Sequence, residues 1–177
     1  MSDEDIYPES EKIDGEPVQG PDFRGEVDLE SLLEDYGTTG FQASHLKEAV
    51  DIVKEMRGQN SKIFLTFTSN IVSSGLRETV AYLAREDLVD VIVTTSGSHT
   101  EDVIKSFTDF SMGEWDADEA ELREKGVNRL GNIFVPSEHY IHLEEWLNCN
   151  VFPDLFEDGA VTPTTVAEKL GEEVADD

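Results

Sequence analysis

The pattern of apolar residues in this 177-residue chain predicts an α/β protein, an incomplete doubly wound (Rossmann-like) parallel sheet with helices on both faces. Three observations lead there. The runs Lys62-Ile63-Phe64-Leu65-Thr66-Phe67 and Val89-Asp90-Val91-Ile92-Val93-Thr94 are short and rich in apolar, β-branched residues, as buried parallel strands are. Each is followed by a loop of small hydroxyl residues and then by an amphipathic helix. Asn132-Ile133-Phe134-Val135, closed by Pro136, repeats the strand signal. Sheets of this kind usually hold about five strands or more, and the last predicted helix has no strand after it to pack beside, so the sheet is expected to be incomplete.

Residues 1–25 carry Asp3, Glu4, Asp5, Glu9, Glu11 and Asp14 among Pro8, Gly15, Pro17, Gly20 and Pro21, which predicts an acidic disordered arm. Order is expected from Asp28, an N-cap for a helix whose Leu29, Leu32, Leu33 and Tyr36 share one face and which Gly37 should end. A second helix spans about Gln42 to Arg57, with Leu46, Ala49, Val50, Val53 and Met56 as its stripe and Gly58 as its stop. Between the first two strands a helix runs from Leu76 to Asp87 on Val80, Leu83 and Ala84. After the second strand a helix from about Thr100 to Phe107 turns Val103, Ile104 and Phe107 inward. Asp116 to Lys125 reads as a polar surface helix capped by Asp116 or Asp118. Helices from Ser137 to about Leu147 and from Thr162 to Val174 follow, and Pro163 suits the first turn of the last one.

Charge is the compositional outlier: 40 acidic against 13 basic residues give a net −27. Polyanions would be repelled, and nucleic-acid binding depends on Lys and Arg neutralising phosphates, so nucleic acid is not an expected partner. Carboxylates spread over nearly every predicted helix, with only seven lysines, predict a halophilic source, since screening lengths fall to about 3 Å at 1 M salt. Cys149 stands alone and forms no intrachain disulfide. No apolar stretch approaches the roughly 18 residues of a membrane span and no secretory signal is visible. No membrane association and a cytoplasmic location are expected.

The chemistry-bearing residues sit in the two loops, Thr68-Ser69-Asn70-Ile71-Val72-Ser73-Ser74-Gly75 and Thr94-Thr95-Ser96-Gly97-Ser98. The carboxyl edge of a parallel sheet is where such folds hold nucleotides and phosphates, through hydroxyls and free helix N–H groups. Neither loop has the glycine-rich dinucleotide fingerprint or a P-loop. Ser73 or Ser74 serves equally well as a plain helix cap, and local sequence leaves both readings open. Glu101 and Asp102, expected in a first helical turn, suit simple stabilisation of the helix dipole. His139 and His142 fall at i, i+3 beside Glu138, Glu144 and Glu145, but no further Cys or His completes a zinc set, and no metal is expected. Trp115 and Trp146 read as core or interface anchors.

Taken together, these segments resemble the N-terminal half of deoxyhypusine synthase. The resemblance is carried by Ser69-Asn70-Ile71-Val72-Ser73-Ser74-Gly75-Leu76-Arg77-Glu78-Thr79, by Val89 to Gly97, and by Met112-Gly113-Glu114-Trp115. Leu122-Arg123-Glu124, Gly126-Val127-Asn128-Arg129-Leu130-Gly131-Asn132-Ile133-Phe134-Val135-Pro136, Thr162-Pro163 and Leu170-Gly171 continue it in order from about Leu29 to the C-terminus. It implies that residues 26–177 are the N-terminal half of a NAD-binding domain. It further implies an NAD-dependent transfer of the aminobutyl group of spermidine, by way of an enzyme lysine, to a lysine of the hypusine-bearing translation factor precursor. NAD contacts of the family fall on Ser69, Asn70, Ile71, Val72, Ser73, Thr95, Ser96, Gly97 and Glu101, and polyamine contacts on Thr100 and Glu101. The family assembles as a tetramer with active sites between paired subunits.

Two departures bear on function. Ser98 replaces a glycine and Thr100 a carboxylate, which leaves the amine donor open between spermidine and a related amine such as agmatine. The family's lysine nucleophile belongs to its other half, and none of the seven lysines here follows a Gly-Gly run. No catalytic residue is therefore assigned, and the chain is expected to be inactive alone, as one half of a truncated or split enzyme. A non-catalytic regulatory or complementing subunit, in a homo- or hetero-oligomer with a deoxyhypusine synthase chain, is the alternative. An unrelated nucleotide-binding module is a third reading, which the series of motifs disfavours.

Overall fold

The structure, a computed structural model, describes residues 10–155 and 161–176. The first nine residues of the predicted acidic arm lie outside the described residues. The chain forms two compact units, Met1–Ser61 and Lys62–Asp177.

In the first unit, α1 (Leu29–Thr39) and α2 (Phe41–Gly58) pack on each other. Asp28 caps α1 by accepting from the Ser31 amide, and the Ser31 hydroxyl accepts from the Asp28 amide, a reciprocal capping box. The helix does not end at Gly37 as its sequence predicts. Gly37 stays helical, and the break falls at Gly40, whose φ of +92° is open to glycine alone at little cost. The described part of the N-terminal arm has no helix or strand before α1, and it is tied down at Gln19, which donates to and accepts from Thr38. Neither helix buries a residue, and Leu29 and Phe41 are exposed.

The second unit contains the remaining elements. Strand β1 (Phe64–Thr66) is followed by α3 (Asn70–Ser73), α4 (Arg77–Arg85), β2 (Val91–Val93) and α5 (Ser96–Phe107). Then come β3 (Ser111–Met112), α6 (Glu119–Glu124, capped by Asp118), β4 (Val127–Leu130) and β5 (Ile133–Pro136). The chain ends with α7 (Ser137–Trp146), a π-helical turn (Leu147–Val151), α8 (Phe152–Leu155) and α9 (Pro163–Asp176).

The sheet topology corrects the predicted fold class. β1 and β2 pair in parallel as expected, but the third run does not join them. It becomes β5, the middle of a separate antiparallel sheet of order β3-β5-β4. The architecture is a small mixed α/β fold with two short sheets, not one doubly wound parallel sheet. The reason is local. Gly131 and Asn132 form a two-residue turn, with Gly131 at φ +64°, that folds Leu130 directly onto Ile133. A hairpin closes at far lower entropic cost than a crossover to a distant parallel partner. Pro136, placed at the end of β5, offers no N–H to the ladder.

Nor is the sheet the centre of the unit. The main core lies among helices: Val103 and Ile104 of α5, Leu143 and Trp146 of α7, Val151 of the π turn and Leu170 of α9. The Phe107 and Trp146 rings meet edge-on at 5.1 Å between centroids. Full burial of Ile104 and Val151 stabilises by about 1.5–3 kcal/mol each. By contrast Phe64 remains 64% exposed and Val93 49% exposed, although their composition suits a buried strand. Among the described residues no helix is long and apolar enough to cross a membrane.

A two-stranded sheet with both edges open and apolar side chains in water favours association. Sedimentation velocity of the chain at high salt is expected to show species heavier than a monomer, and Ile92→Lys to shift them toward monomer. A single monomeric species for the unaltered chain contradicts this.

Candidate functional site

Parallel pairing determines where the two hydroxyl loops lie. With Thr66 opposite Val93, the residues after each strand emerge at the same sheet edge. The Phe67 amide donates to the Val93 carbonyl at 3.2 Å, and the Thr94 hydroxyl donates to the Phe67 carbonyl at 2.8 Å, which locks the two strand exits together. At the opposite edge Asp90 joins the strands by accepting from Lys62 Nζ at 2.6 Å and from the Ile63 amide at 2.9 Å. The Lys62 ammonium, and then that amide, hold the Asp90 carboxyl below the usual carboxylate range.

From the locked exits the chain enters α3 on one side and α5 on the other. Gly97, in the first turn of α5, faces Ser69 just before α3. A Cβ at position 97 would come within 3.0 Å of Ser69 Cβ and 3.1 Å of its hydroxyl. The loops therefore touch, and a side chain at position 97 would require Ser69 to give way by a few tenths of an ångström. Asn70, Thr95 and Ser96 are exposed along this edge and Ser69 is half-buried. Ile71 is half-buried, while Val72 and Ser73 are buried, with the Ser73 hydroxyl donating to the Ser69 carbonyl at 3.3 Å. Ser74 links the two short helices, donating to the Ile71 carbonyl at 2.7 Å and accepting from the Leu76 amide at 3.2 Å.

Glu101 departs most from its expected setting. Because α5 begins at Ser96 rather than Thr100, Glu101 stands in the second turn, where it does not serve the helix N-terminus. It is 7% exposed and receives the Tyr140 hydroxyl at 3.4 Å on Oε1, while Oε2 is buried without a hydrogen-bond partner among the described residues. Thr100, one residue earlier, is half-buried and donates to the Ser96 carbonyl at 3.3 Å. Asp102 faces away and pairs with Arg77 at 2.5 Å. A cavity of about 220 Å³ opens beside Ser96, His99 and Thr100, walled by Leu143, Val151 and Leu170. Larger recesses of about 370 and 580 Å³ flank α6, but none of the loop hydroxyls lines them.

Local sequence reading missed Tyr140 and Lys105. Lys105 reaches from α5 to the backbone of α3, and Tyr140 from α7 to Glu101. His139 and His142 do not converge. His139 Nε2 lies 3.2 Å from the Thr108 hydroxyl, and His142 packs edge-on against Phe107. Among the described residues no group of three or more His, Cys, Asp or Glu is placed to hold a metal ion. Trp146 is buried, whereas Trp115 is exposed and lies over Gly131.

Comparison with known proteins decides the family. The sequence pattern of deoxyhypusine synthase matches residues 31–177. The chain belongs to the deoxyhypusine synthase family. A probable deoxyhypusine synthase of Halobacterium salinarum is 58% identical over 176 residues, which are 98% of this chain and 53% of that relative. One from Thermococcus gammatolerans is 46% identical over 147 residues, 80% of this chain and 44% of its own length. The crystal structure of an Entamoeba histolytica protein assigned to the same enzyme superposes with a TM-score of 0.60 at 25% identity, covering 89% of this chain and 55% of the other. The chain thus spans about half the length of the curated relatives it matches. The high similarity to a protein from a halophilic archaeon accords with the acidic composition.

Tyr140 supplies a pH test of its buried contact with Glu101. Burial, and then the neighbouring Glu101 carboxylate, push the phenol up to about 12, against an ordinary value of about 10. The folded state then holds the proton more tightly than the unfolded one. The resulting stability is fully present below pH ~10 and is lost as pH rises through ~12. A difference titration at 295 nm between the parent chain and Tyr140→Phe is expected to show this late ionisation, and Glu101→Gln to bring it earlier. An ordinary tyrosine midpoint in the parent would contradict that contact.

Proposed function

We propose that this chain supplies the NAD-contacting half of a cytoplasmic deoxyhypusine synthase, acting on spermidine or a related amine and on the hypusine-bearing translation factor precursor. The observation that carries the reading is the Gly97–Ser69 contact, which gathers the hydroxyls of two loops at one edge in a chain of this family. The residues present fit a dinucleotide. The exposed polar side chains of Asn70, Thr95 and Ser96, with Ser69, offer hydrogen bonds to ribose and phosphate oxygens. Ile71, Val72 and Ser73 would contribute shape, since their side chains turn inward to varying degrees and their amides are already bonded to the Thr68 and Ser69 carbonyls. Gly97 keeps the α5 backbone within reach of the ligand.

When bound, NAD supplies the acceptor and later the donor of a hydride. The chain's own share is to bind and orient. Glu101 holds a buried carboxylate oxygen without a donor, an arrangement that costs free energy until an N–H arrives. A cationic amine lying between Thr100 and Glu101 satisfies that oxygen and gains a charge-assisted hydrogen bond. The cavity beside Thr100, walled by Leu143, Val151 and Leu170, would offer an apolar surface to the amine's methylene carbons. None of the seven lysines occupies the family's nucleophile motif, so we propose that turnover requires polypeptide corresponding to the rest of the relatives' length, on this or on a complementing chain.

The test is aminobutyl transfer from labelled spermidine in molar potassium chloride. The 177 residues alone are expected to give none. Fusing them to the remaining segment of the Halobacterium salinarum relative should restore it. In the fusion, Glu101→Gln is expected to lower kcat/KM about tenfold to a hundredfold, the worth of one hydrogen bond to a charged group. Transfer by the 177 residues alone, or an active fusion indifferent to Glu101→Gln, would overturn the assignment.

A further inference from the structure

We infer that Lys105 is a positioning residue: its ammonium clamps the end of α3 and so fixes the Ser69–Ser74 loop in the conformation that meets α5. The functional side of this inference rests on the NAD reading above, while the clamp itself rests on geometry alone.

Lys105 Nζ donates to three successive carbonyls, those of Val72 at 3.1 Å, Ser73 at 3.3 Å and Ser74 at 2.9 Å. These are the groups a helix C-terminus leaves without intrahelical partners, and a cation there is favoured by the backbone dipoles. α3 has four residues, far too few to persist without tertiary support. The adjoining Ser74 runs extended before α4 begins; its amide donates to the Asn70 carbonyl at 3.2 Å, and among the described residues its own carbonyl receives, apart from Lys105, only the long Arg77 amide contact at 3.5 Å. An ammonium with three donors is the side-chain group that matches this convergence.

The choice of partner is notable in so acidic a chain. Lys12, Lys47, Lys54, Lys62, Lys125 and Lys169 each pair with a carboxylate. Among the described residues Lys105 forms no such pair, and its ammonium is committed to backbone. Its anchorage is firm. It follows Ile104, which is 1% exposed in the helical core, and its ammonium lies 5.8 Å from the centre of the Phe110 ring. The clamp therefore refers the position of the loop to the α5–α7–α9 core. The clamp thereby adds to the support that the short two-stranded sheet gives at the loop's other end. Val72 and Ser73, which the clamp holds, lie in the stretch where the family resemblance places cofactor contacts.

Lys105→Met keeps the length and packing of the stem and removes the donors. Hydrogen–deuterium exchange is expected to rise about tenfold or more at the amides of residues 72–76, with α7 and α9 unchanged. Calorimetric titration with NAD should show at least about tenfold weaker binding. Lys105→Arg, with a guanidinium that cannot converge on three carbonyls in the same way, should recover part of both. Unchanged exchange at residues 72–76, or a uniform rise through α5, α7 and α9, would overturn the clamp. Faster exchange with unaltered NAD affinity would overturn its role in positioning. If the parent chain binds no NAD, the cofactor reading fails by itself, and the exchange data alone decide whether Lys105 is a clamp.

Discussion

Parallel pairing of Phe64–Thr66 with Val91–Val93 is the constraint on which the candidate site depends. Had these strands paired antiparallel, their exits would lie at opposite edges and the two hydroxyl loops could not meet. The pairing is short, and it is reinforced at both ends by side chains: Thr94 closes it at the loop edge, and Asp90 with Lys62 closes it at the other. The absence of a side chain at Gly97 then lets the α5 backbone approach Ser69. Together these devices place two chain segments almost thirty residues apart on one surface.

The core and the candidate site occupy different parts of the second unit. The buried residues gather where α5, α7 and α9 cross, and α5 belongs to both regions. One face of that helix carries Val103 and Ile104 into the core, while its first turn presents Ser96 and Gly97 to the loop edge. Glu101 lies between them, held against Tyr140 with one oxygen unanswered. A buried acceptor without a donor is costly in a protein that serves only to fold, and it gains a rationale where a cationic ligand is to be received. The same helix sends Lys105 across to α3, so a rigid element supports both halves of the edge.

Much of the local structure was legible in the sequence because it is governed by local chemistry. Asp28 and Asp118 cap their helices, Pro163 opens α9, and the apolar runs around Leu65 and Ile92 become the parallel strands. The fold class was not legible from apolar runs alone, since a strand's composition does not name its partner. The deciding signal was the Gly131-Asn132 turn, a hairpin signature between two four-residue strands. The start of α5 was misplaced because Ser, Gly and Thr are poor helix formers, yet Thr95 holds the extended conformation of an N-cap and the helix begins directly after it. Tyr140 and Lys105 act over long sequence separations, and no local period encodes contacts of that kind.

We propose that the two loop edges form one surface for one dinucleotide. The most direct test of this is a titration of the isotopically labelled chain with NAD, followed by amide resonances in molar salt. The amides of Ser69, Asn70, Thr95 and Ser96 should shift together along a single saturation curve. Saturable shifts confined to the recesses beside α6, or separate curves for the two loops, would contradict it.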